Sequence, residues 1–228
     1  MTEEWTQTPL QQLIDIMARL RSAQGCRWDR QQTPESLKPY LLEECYELLE
    51  AIDRGQPQEI CDELGDLLLQ VVFQAQIFSE RGDFAMQDVA AAINKKLIRR
   101  HPHIFASANA EGHEERWEEI KLQERKERGQ PTSLAERIPT TFPALKRAQK
   151  IAKRCPFSDN STIIAKVKSQ LSSLGSQIID KTDACGELQA SVGTLLFHLV
   201  QLANNLGVDA EESLRQTNAE KVAMIDAK

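Results

Sequence analysis

Five acidic side chains in two short segments of the chain could together hold a metal ion. They are Glu43, Glu44, Glu47, Glu63 and Asp66. The first three lie in the stretch LLEECYELLE, and the last two lie in ELGDLLLQVVF, which is otherwise apolar. A carboxylate in apolar surroundings is unfavourable unless a positive charge offsets its own. Ligands made only of oxygen suit Mg²⁺ or Mn²⁺ rather than Zn²⁺, so we expect a site for one of these ions.

Four of these acids are spaced symmetrically about Gly55. Glu47 and Glu63 lie eight residues from it, and Glu44 and Asp66 lie eleven residues from it. A short connection makes two helices antiparallel neighbours, and a rise of about 1.5 Å per residue places both members of each pair at the same height. The spacing therefore predicts four carboxylates in two layers. A di-iron bundle would need the motif Glu-x-x-His, which the sequence does not contain.

The elements that must position these acids are all predicted to be helices. The chain has only 10 Gly and 9 Pro among 228 residues, and long stretches carry apolar residues at helical spacing. The pattern predicts an all-α helical bundle. The expected helices cover about residues 9–21, 34–53, 57–79, 84–100, 113–128, 144–153, 162–181, 184–206 and 209–226.

The second half of the chain resembles the first but lacks its acids. SVGTLLFHLV (191–200) aligns with ELGDLLLQVV (63–72), and SQLSS (169–173) aligns less clearly with EECYE. The apolar frame is kept, whereas each acid is replaced by Ser, Gln or Thr. An internal repeat indicates a duplicated unit. We therefore expect a catalytic domain over residues 1–128, a linker over 129–143 with a short helix in it, and a degenerate repeat over 144–228 that packs, dimerises or regulates.

Composition and charge restrict the binding partners and the cellular compartment that we expect for the protein. The net charge of −6 and the pI of about 5.4 argue against a broad nucleic-acid-binding surface. We find no signal peptide, and no apolar run approaches the roughly 20 residues that a membrane span requires. The five Cys are odd in number and form no C-x-x-C pair, which favours reduced thiols over disulfides. We expect a cytoplasmic protein that binds neither nucleic acid nor membrane.

Several blocks of sequence resemble the MazG family of nucleoside triphosphate pyrophosphohydrolases. The family motif E-E-x-x-E, a spacer and E-x-x-D matches the five acids. CRWDRQQTPESLKPYLLEECYELLEAI, RRHPHIF and RWEEIK resemble further blocks of the family in the same order. The resemblance is dense over residues 10–128 and looser over 130–228. It implies an all-α fold, a tight homodimer, and Mg²⁺-dependent hydrolysis of nucleoside triphosphates between the α and β phosphates to a monophosphate and pyrophosphate.

The resemblance also implies roles for individual residues. Glu44, Glu47, Glu63 and Asp66 become the expected metal ligands, and Glu43 would bind a second ion or orient the attacking water. The side chains expected to contact the phosphates are Arg99, Arg100 and Lys121. Lys38 is a further candidate, with an exposed lysine as the alternative. Trp28 either plugs the end of the bundle, which we favour, or stacks on the base.

Two other functions remain open at this point. The chain could be a helical bundle that senses nucleotides or binds a partner without turnover, although such a scaffold has no need of inward carboxylates. It could also be a pyrophosphatase restricted to one nucleotide such as dUTP or dCTP. No residue pattern reads the base, so broad specificity is our expectation. Release of pyrophosphate from several nucleotides would separate these alternatives.

Overall fold

The described part of the chain is entirely helical. The computed structural model describes residues 8–106, 113–130, 133–154, 158–179 and 185–226, which contain no strand. These residues form the helices α1 Pro9–Arg21, α2 Arg27–Gln31, α3 Lys38–Arg54, α4 Pro57–Glu80, α5 Met86–Arg100, α6 Pro102–Phe105, α7 His113–Glu127, α8 Leu134–Arg137, α9 Ala144–Ala152, α10 Asn160–Ile179, α11 Cys185–Asn205 and α12 Ala210–Asp226. The all-α prediction is confirmed. Within the described residues, no helix is both long enough and apolar enough to cross a membrane.

The chain divides into two compact units. The first runs from Met1 to His113 and the second from Glu114 to Lys228. This division groups α7 with the second unit, whereas the sequence suggested a boundary after residue 128. The short helix α8 occurs inside the segment expected to be a linker. The assignment of catalysis to residues 1–128 is a separate matter and stays a prediction.

The core of the first unit lies between α1, α4 and the turn that precedes α3. Its fully buried members are Met17, Leu37, Val72, Phe73 and Ile77. α1 and α3 both pack on α4, and α5 packs on α4 as well. Helix α4 is therefore the central element, and its buried side chains lie in the second half of the helix, between Gln70 and Ile77.

Helix α3 begins four residues later than the sequence suggested. The sequence predicted a helix from about residue 34, where Thr33-Pro34 has the features of a helix start, but α3 starts at Lys38. Thr33 and Ser36 instead form a turn in which each side-chain oxygen accepts the other residue's backbone N–H, at 3.2 and 2.9 Å. The reason is Pro39, which has no N–H to donate to the carbonyl four residues earlier and whose ring clashes with that carbonyl. Proline is accepted only in the first turn of a helix, so α3 cannot extend further back.

Arg21 ties the ends of three segments of the first unit together. Its Nε and Nη2 donate to the two carboxylate oxygens of Glu80 at 2.8 and 2.7 Å. Nη1 donates to the backbone carbonyls of Asp29 and Gln32. The Arg21 side chain is only 7% exposed. One guanidinium therefore joins the end of α1, the end of α4 and the region of α2.

Replacing Arg21 with Leu should lower the free energy of unfolding by about 3 kcal/mol, because it leaves a carboxylate and two carbonyls without their donor. Urea denaturation would measure the loss. Arg54→Leu is the matched control, since Arg54 pairs with Glu50 and Glu59 but is 53% exposed. Its loss should cost no more than about 1 kcal/mol. Equal effects of the two substitutions would contradict the proposed tie.

The second unit is built around a helical hairpin of its own. α10 packs on α11, α9 packs on α11 and on α12, and α11 also contacts α12. Ile163, Leu174 and Val200 are among its buried residues. Gln149 of α9 fixes the start of α12, because its Nε2 donates to the Val208 carbonyl at 2.7 Å and its Oε1 accepts from the Ala210 N–H at 3.2 Å.

The helices pack in the same order in both units. In the first unit α1, α3 and α5 each contact α4, and in the second α9, α10 and α12 each contact α11. The aligned stretches 63–72 and 191–200 lie in α4 and α11, which are the central helices of their units. This correspondence supports a duplicated unit, although the repeat stays a prediction.

Candidate metal centre

The hairpin of α3 and α4 positions the acidic residues. α3 ends at Arg54 and α4 begins at Pro57, so only two residues connect them. Gly55 has a φ of 69°, in the left-handed region that glycine tolerates best, and its N–H closes the last turn of α3. The two helices pack against each other as antiparallel neighbours. This is the arrangement that the symmetrical spacing of the acids predicted.

Three of the predicted acids meet at one point. One carboxylate oxygen from each of Glu44, Glu63 and Asp66 lies within 4.8 Å of the other two. We call these three residues the acidic cluster. Glu44 comes from α3 and the other two from α4, where a spacing of three residues places them on one face. Glu47 is outside this group of three, although its charge acts on both Glu44 and Glu63.

The acids of the cluster repel one another and are partly desolvated. Burial, followed by the charge of Asp66, raises the pKa of Glu44 above its ordinary value. Burial, followed by the charge of Glu47, raises the pKa of Glu63. Arg54 is the one cation among the main influences on Glu63, and Glu50 and Glu59 already pair with it. The charge of the cluster is thus largely uncompensated by the described part of the chain.

The cluster fits a bound cation. The Glu63 Oε2 atom is buried and has no hydrogen-bond partner among the described residues. An unsatisfied buried acceptor is costly, and it is more costly when it carries charge. A cation in contact with this oxygen and with the oxygens of Glu44 and Asp66 would satisfy it and cancel the repulsion. The donor set is made only of oxygen, as Mg²⁺ and Mn²⁺ prefer.

The apolar surroundings that we expected for these acids are incomplete within a single chain. Asp66 is exposed, and so are Leu64, Leu68 and Val71 on the same helix. On α3 the exposed apolar residues include Leu42, Tyr46, Leu49 and Ile52. Each helix of the hairpin therefore carries an unpartnered apolar stripe. The expected enclosure requires something to cover these stripes.

The other charged residues predicted for the site lie on α3, α5 and α7. Glu43 is exposed on α3, and Lys38 is exposed at the start of that helix. Arg99 and Arg100 form the end of α5, where RRHPHIF was expected to stop the helix. Lys121 belongs to the second unit, and its Nζ lies 5.6 Å from the ring centroid of Trp117. The phosphate contacts of these four cations stay predictions.

Trp28 packs on the first unit but remains half exposed. Its ring meets Tyr40 and Phe73 edge-on, with centroid distances of 5.8 and 6.4 Å. The side chain is 47% exposed. One side thus covers the core, as a plug would, and the other side is open to a ligand. Both interpretations of this residue are compatible with the packing.

Sequence reasoning missed Gln70. Its Nε2 donates to the Glu44 Oε1 atom at 3.4 Å, and the residue is 6% exposed. Its spacing from Glu63 and Asp66 would have revealed it, because residues seven and four positions apart share a helix face. A polar residue on that face, within an otherwise apolar run, was the available indication.

The metal-free protein should lose stability as pH rises, to a degree that depends on the cluster. A carboxyl whose pKa is raised in the folded state binds its proton more tightly there than in the unfolded chain. Its contribution is present at low pH and is lost as pH rises above the ordinary value of 4.5 and through the raised pKa. Glu63→Gln should therefore become progressively more stable than the natural protein between about pH 4.5 and 7. Urea denaturation with a chelator measures this difference, and a difference that shrinks with rising pH would contradict it.

The fold and the site define an all-α protein in which a helical hairpin gathers three carboxylates that could hold a metal ion. Residues 32–105 match the MazG nucleotide pyrophosphohydrolase domain. A Thermotoga maritima protein named nucleoside triphosphate pyrophosphohydrolase/pyrophosphatase MazG is 43% identical over 211 residues, 90% of this chain and 80% of the relative. The Escherichia coli nucleoside triphosphate pyrophosphohydrolase is 42% identical over 92% of this chain and 82% of its own. The chain belongs to the MazG family of nucleotide pyrophosphohydrolases, as the resemblance indicated.

Proposed function

We propose that this protein hydrolyses nucleoside triphosphates between the α and β phosphates and releases a nucleoside monophosphate and pyrophosphate. The observation that carries this proposal is the convergence of carboxylate oxygens from Glu44, Glu63 and Asp66, together with a buried Glu63 Oε2 atom that has no hydrogen-bond partner among the described residues. Family membership supports it, because the Thermotoga and Escherichia relatives are named for this activity. Membership also favours an enzyme over a bundle that binds nucleotides without turnover.

The cofactor that we propose is Mg²⁺, with Mn²⁺ as a substitute. Glu44, Glu63 and Asp66 would hold it, and Glu47 is the fourth proposed ligand because its charge reaches the same place. When bound, the ion would polarise the phosphoryl oxygens and lower the pKa of a water that attacks phosphorus. The acidic cluster repels a triphosphate on its own, so cations of the protein must also contribute.

The remaining residues bind, orient and accept a proton in this proposal. Glu43, which precedes Glu44 on α3, is the candidate that binds a second ion or orients the attacking water, and a carboxylate of this kind can accept the proton. Arg99, Arg100 and Lys121 bind the phosphates, with Lys38 as a further contact. Trp28 either plugs the end of the bundle, which we favour, or offers its open side to the base. No feature of these residues selects one base, so we expect several nucleotides to be accepted.

The test is a panel of ribo- and deoxynucleoside triphosphates with product identification. In Mg²⁺, phosphorus NMR should show pyrophosphate and the monophosphate in equal amounts for several substrates. Orthophosphate and a diphosphate would place cleavage at the other anhydride bond and contradict the proposal. Turnover of dUTP or dCTP alone would favour the restricted enzyme over the broad one.

We further propose that the protein is a homodimer in which the apolar stripes of the α3–α4 hairpin are covered by a second copy. Contiguous exposed apolar surface of this kind indicates an interface, and a dimer would also restore the expected apolar enclosure of the acids. The equivalent positions in α11, Val192, Leu196 and Leu199, are exposed as well. The second hairpin has thus kept an apolar face, which supports a packing role for this unit.

Leu49→Lys should weaken this dimer by more than about a hundredfold, because a buried unpaired ammonium costs several kcal/mol and each 1.4 kcal/mol is tenfold. Leu49 lies in the α3 stripe and is 41% exposed. Ile93→Lys on α5 is the control, since Ile93 is 44% exposed but lies outside the hairpin. Analytical ultracentrifugation should show a dimer for the natural protein and the control only. A monomeric natural protein would refute the dimer.

A further inference from the structure

Gln70 is a buried polar side chain in contact with the acidic cluster. It lies on α4, four residues after Asp66 and seven after Glu63, which places all three on one helix face. Its Nε2 donates to the Glu44 Oε1 atom across the hairpin, at 3.4 Å. Gln70 therefore connects the metal-binding face of α4 to the cluster member that comes from α3.

The two halves of the Gln70 carboxamide are not equally satisfied. The Oε1 atom is buried and has no hydrogen-bond partner among the described residues. A glutamine that only filled space would be replaced by an apolar side chain of the same shape without loss, because an unsatisfied buried acceptor is unfavourable. The hydrogen bond from Nε2 to Glu44 is the interaction that offsets this cost.

The internal repeat indicates the same connection. Position 70 aligns with His198 in the second unit, and Glu63 and Asp66 align with Ser191 and Thr194. The apolar positions of this stretch are kept in both units, whereas the glutamine has changed together with the acids. A residue needed only for the packing of the hairpin would be expected to stay with the apolar frame.

We propose that Gln70 is a positioning residue for the metal centre, whose Nε2 holds the Glu44 carboxylate beside those of Glu63 and Asp66. Glu44 has a flexible side chain and is repelled by both partners, so without a donor it would turn away from them. A hydrogen bond from Nε2 opposes that movement before the ion arrives. The inference rests on the proposed function, because it assumes that the cluster binds a divalent ion.

The experiment measures Mn²⁺ affinity of the full-length protein without nucleotide, by electron paramagnetic resonance of the free ion. Gln70→Met keeps the side-chain volume and removes the donor, and it should weaken Mn²⁺ binding by about 10–100-fold, as loss of an outer hydrogen-bond partner typically does. Gln74→Met is the matched control one turn further on, where Nε2 donates to the Pro34 carbonyl at 3.4 Å. Its Mn²⁺ affinity should match that of the natural protein.

A second measurement separates positioning from contact with substrate. The activity of Gln70→Met should recover when Mg²⁺ is raised to saturation, since a residue that acts only through Glu44 changes occupancy of the site. If Gln70→Met does not fold, Gln70→Asn retains the carboxamide one methylene short and should weaken Mn²⁺ binding similarly. Unchanged Mn²⁺ affinity in the Gln70 variants would overturn this inference alone. No Mn²⁺ uptake by the natural protein would overturn the proposed function with it.

Discussion

Asp66→Asn should lower kcat/KM for nucleoside triphosphate hydrolysis by about a thousandfold or more. A divalent ion contributes several kcal/mol of charge stabilisation to such a reaction, and each 1.36 kcal/mol is a factor of ten in rate. Asp66 is one of the three residues whose carboxylates meet, and asparagine removes its charge with little change of shape. Because the substitution also removes repulsion of Glu44, the metal-free variant should be at least as stable as the natural protein.

The control for this prediction is Asp62→Asn, the same chemical change one turn earlier on α4. Asp62 is exposed, accepts from Gln58 Nε2 at 3.1 Å and is not in the acidic cluster. Its charge acts on Glu63 only through space and is screened by solvent, so the activity of the variant should stay within about twofold of the natural value. Thr194→Val, at the aligned position of the second unit, should likewise leave activity unchanged. If Asp62→Asn or Thr194→Val were as damaging as Asp66→Asn, the cluster would not be the active centre.

Mg²⁺ should raise the melting temperature of the natural protein by roughly 5–10 °C when its concentration is about 100 times the dissociation constant. Binding to the folded state alone then contributes about 2.7 kcal/mol, and each kcal/mol shifts the melting temperature by about 2–4 °C for a chain of this size. The expected stabilisation follows from the mutual repulsion of the acidic cluster and from the buried Oε2 of Glu63, which has no hydrogen-bond partner in the described part of the chain.

Two comparisons make this result specific. NaCl at matched ionic strength controls for screening of the acids, which by itself reduces their repulsion. Asp66→Asn should lose most of the shift, whereas Asp62→Asn should keep it. An equal rise for all three proteins would indicate general screening or binding elsewhere, and a natural protein that does not respond to Mg²⁺ would remove the basis of the proposed chemistry.

Most helices of the fold could be predicted because their ends carry strong local signals. α1 begins at Pro9 and α4 begins at Pro57, as predicted, and α3 ends at Arg54, one residue beyond the predicted bound and directly before Gly55. The predicted start of α3 was wrong because Thr33-Pro34 has the features of a helix start, whereas Pro39 is tolerated only in the first turn and so keeps the helix from beginning before Lys38. The short helix α2 was missed since five residues carry too little periodicity to reveal one.

The site was predictable to the extent that it depends on the spacing of one hairpin. The positions of Glu44, Glu63 and Asp66 follow from the turn and the helical rise. The contact of Gln70 with Glu44 depends on how two helices rotate against each other, which the spacing does not fix. The exposure of Leu64 and Leu68 depends on what covers the hairpin, and a single chain's sequence does not specify its partner.

The two-residue connection at Gly55 and Gln56 determines how the carboxylate of α3 lines up with those of α4. A Cβ atom added at Gly55 would have no neighbouring atom within 4 Å, so a substitution there costs only the strain of its positive φ. One inserted residue is far worse, because continuing either helix by a residue turns its side chains by about 100° and advances them by about 1.5 Å. Such a change would point Glu63 and Asp66 away from Glu44 while the hairpin still folds. The length of the connection therefore sets the register of the carboxylates. Point substitutions in it should preserve metal binding, whereas insertions and deletions should abolish it.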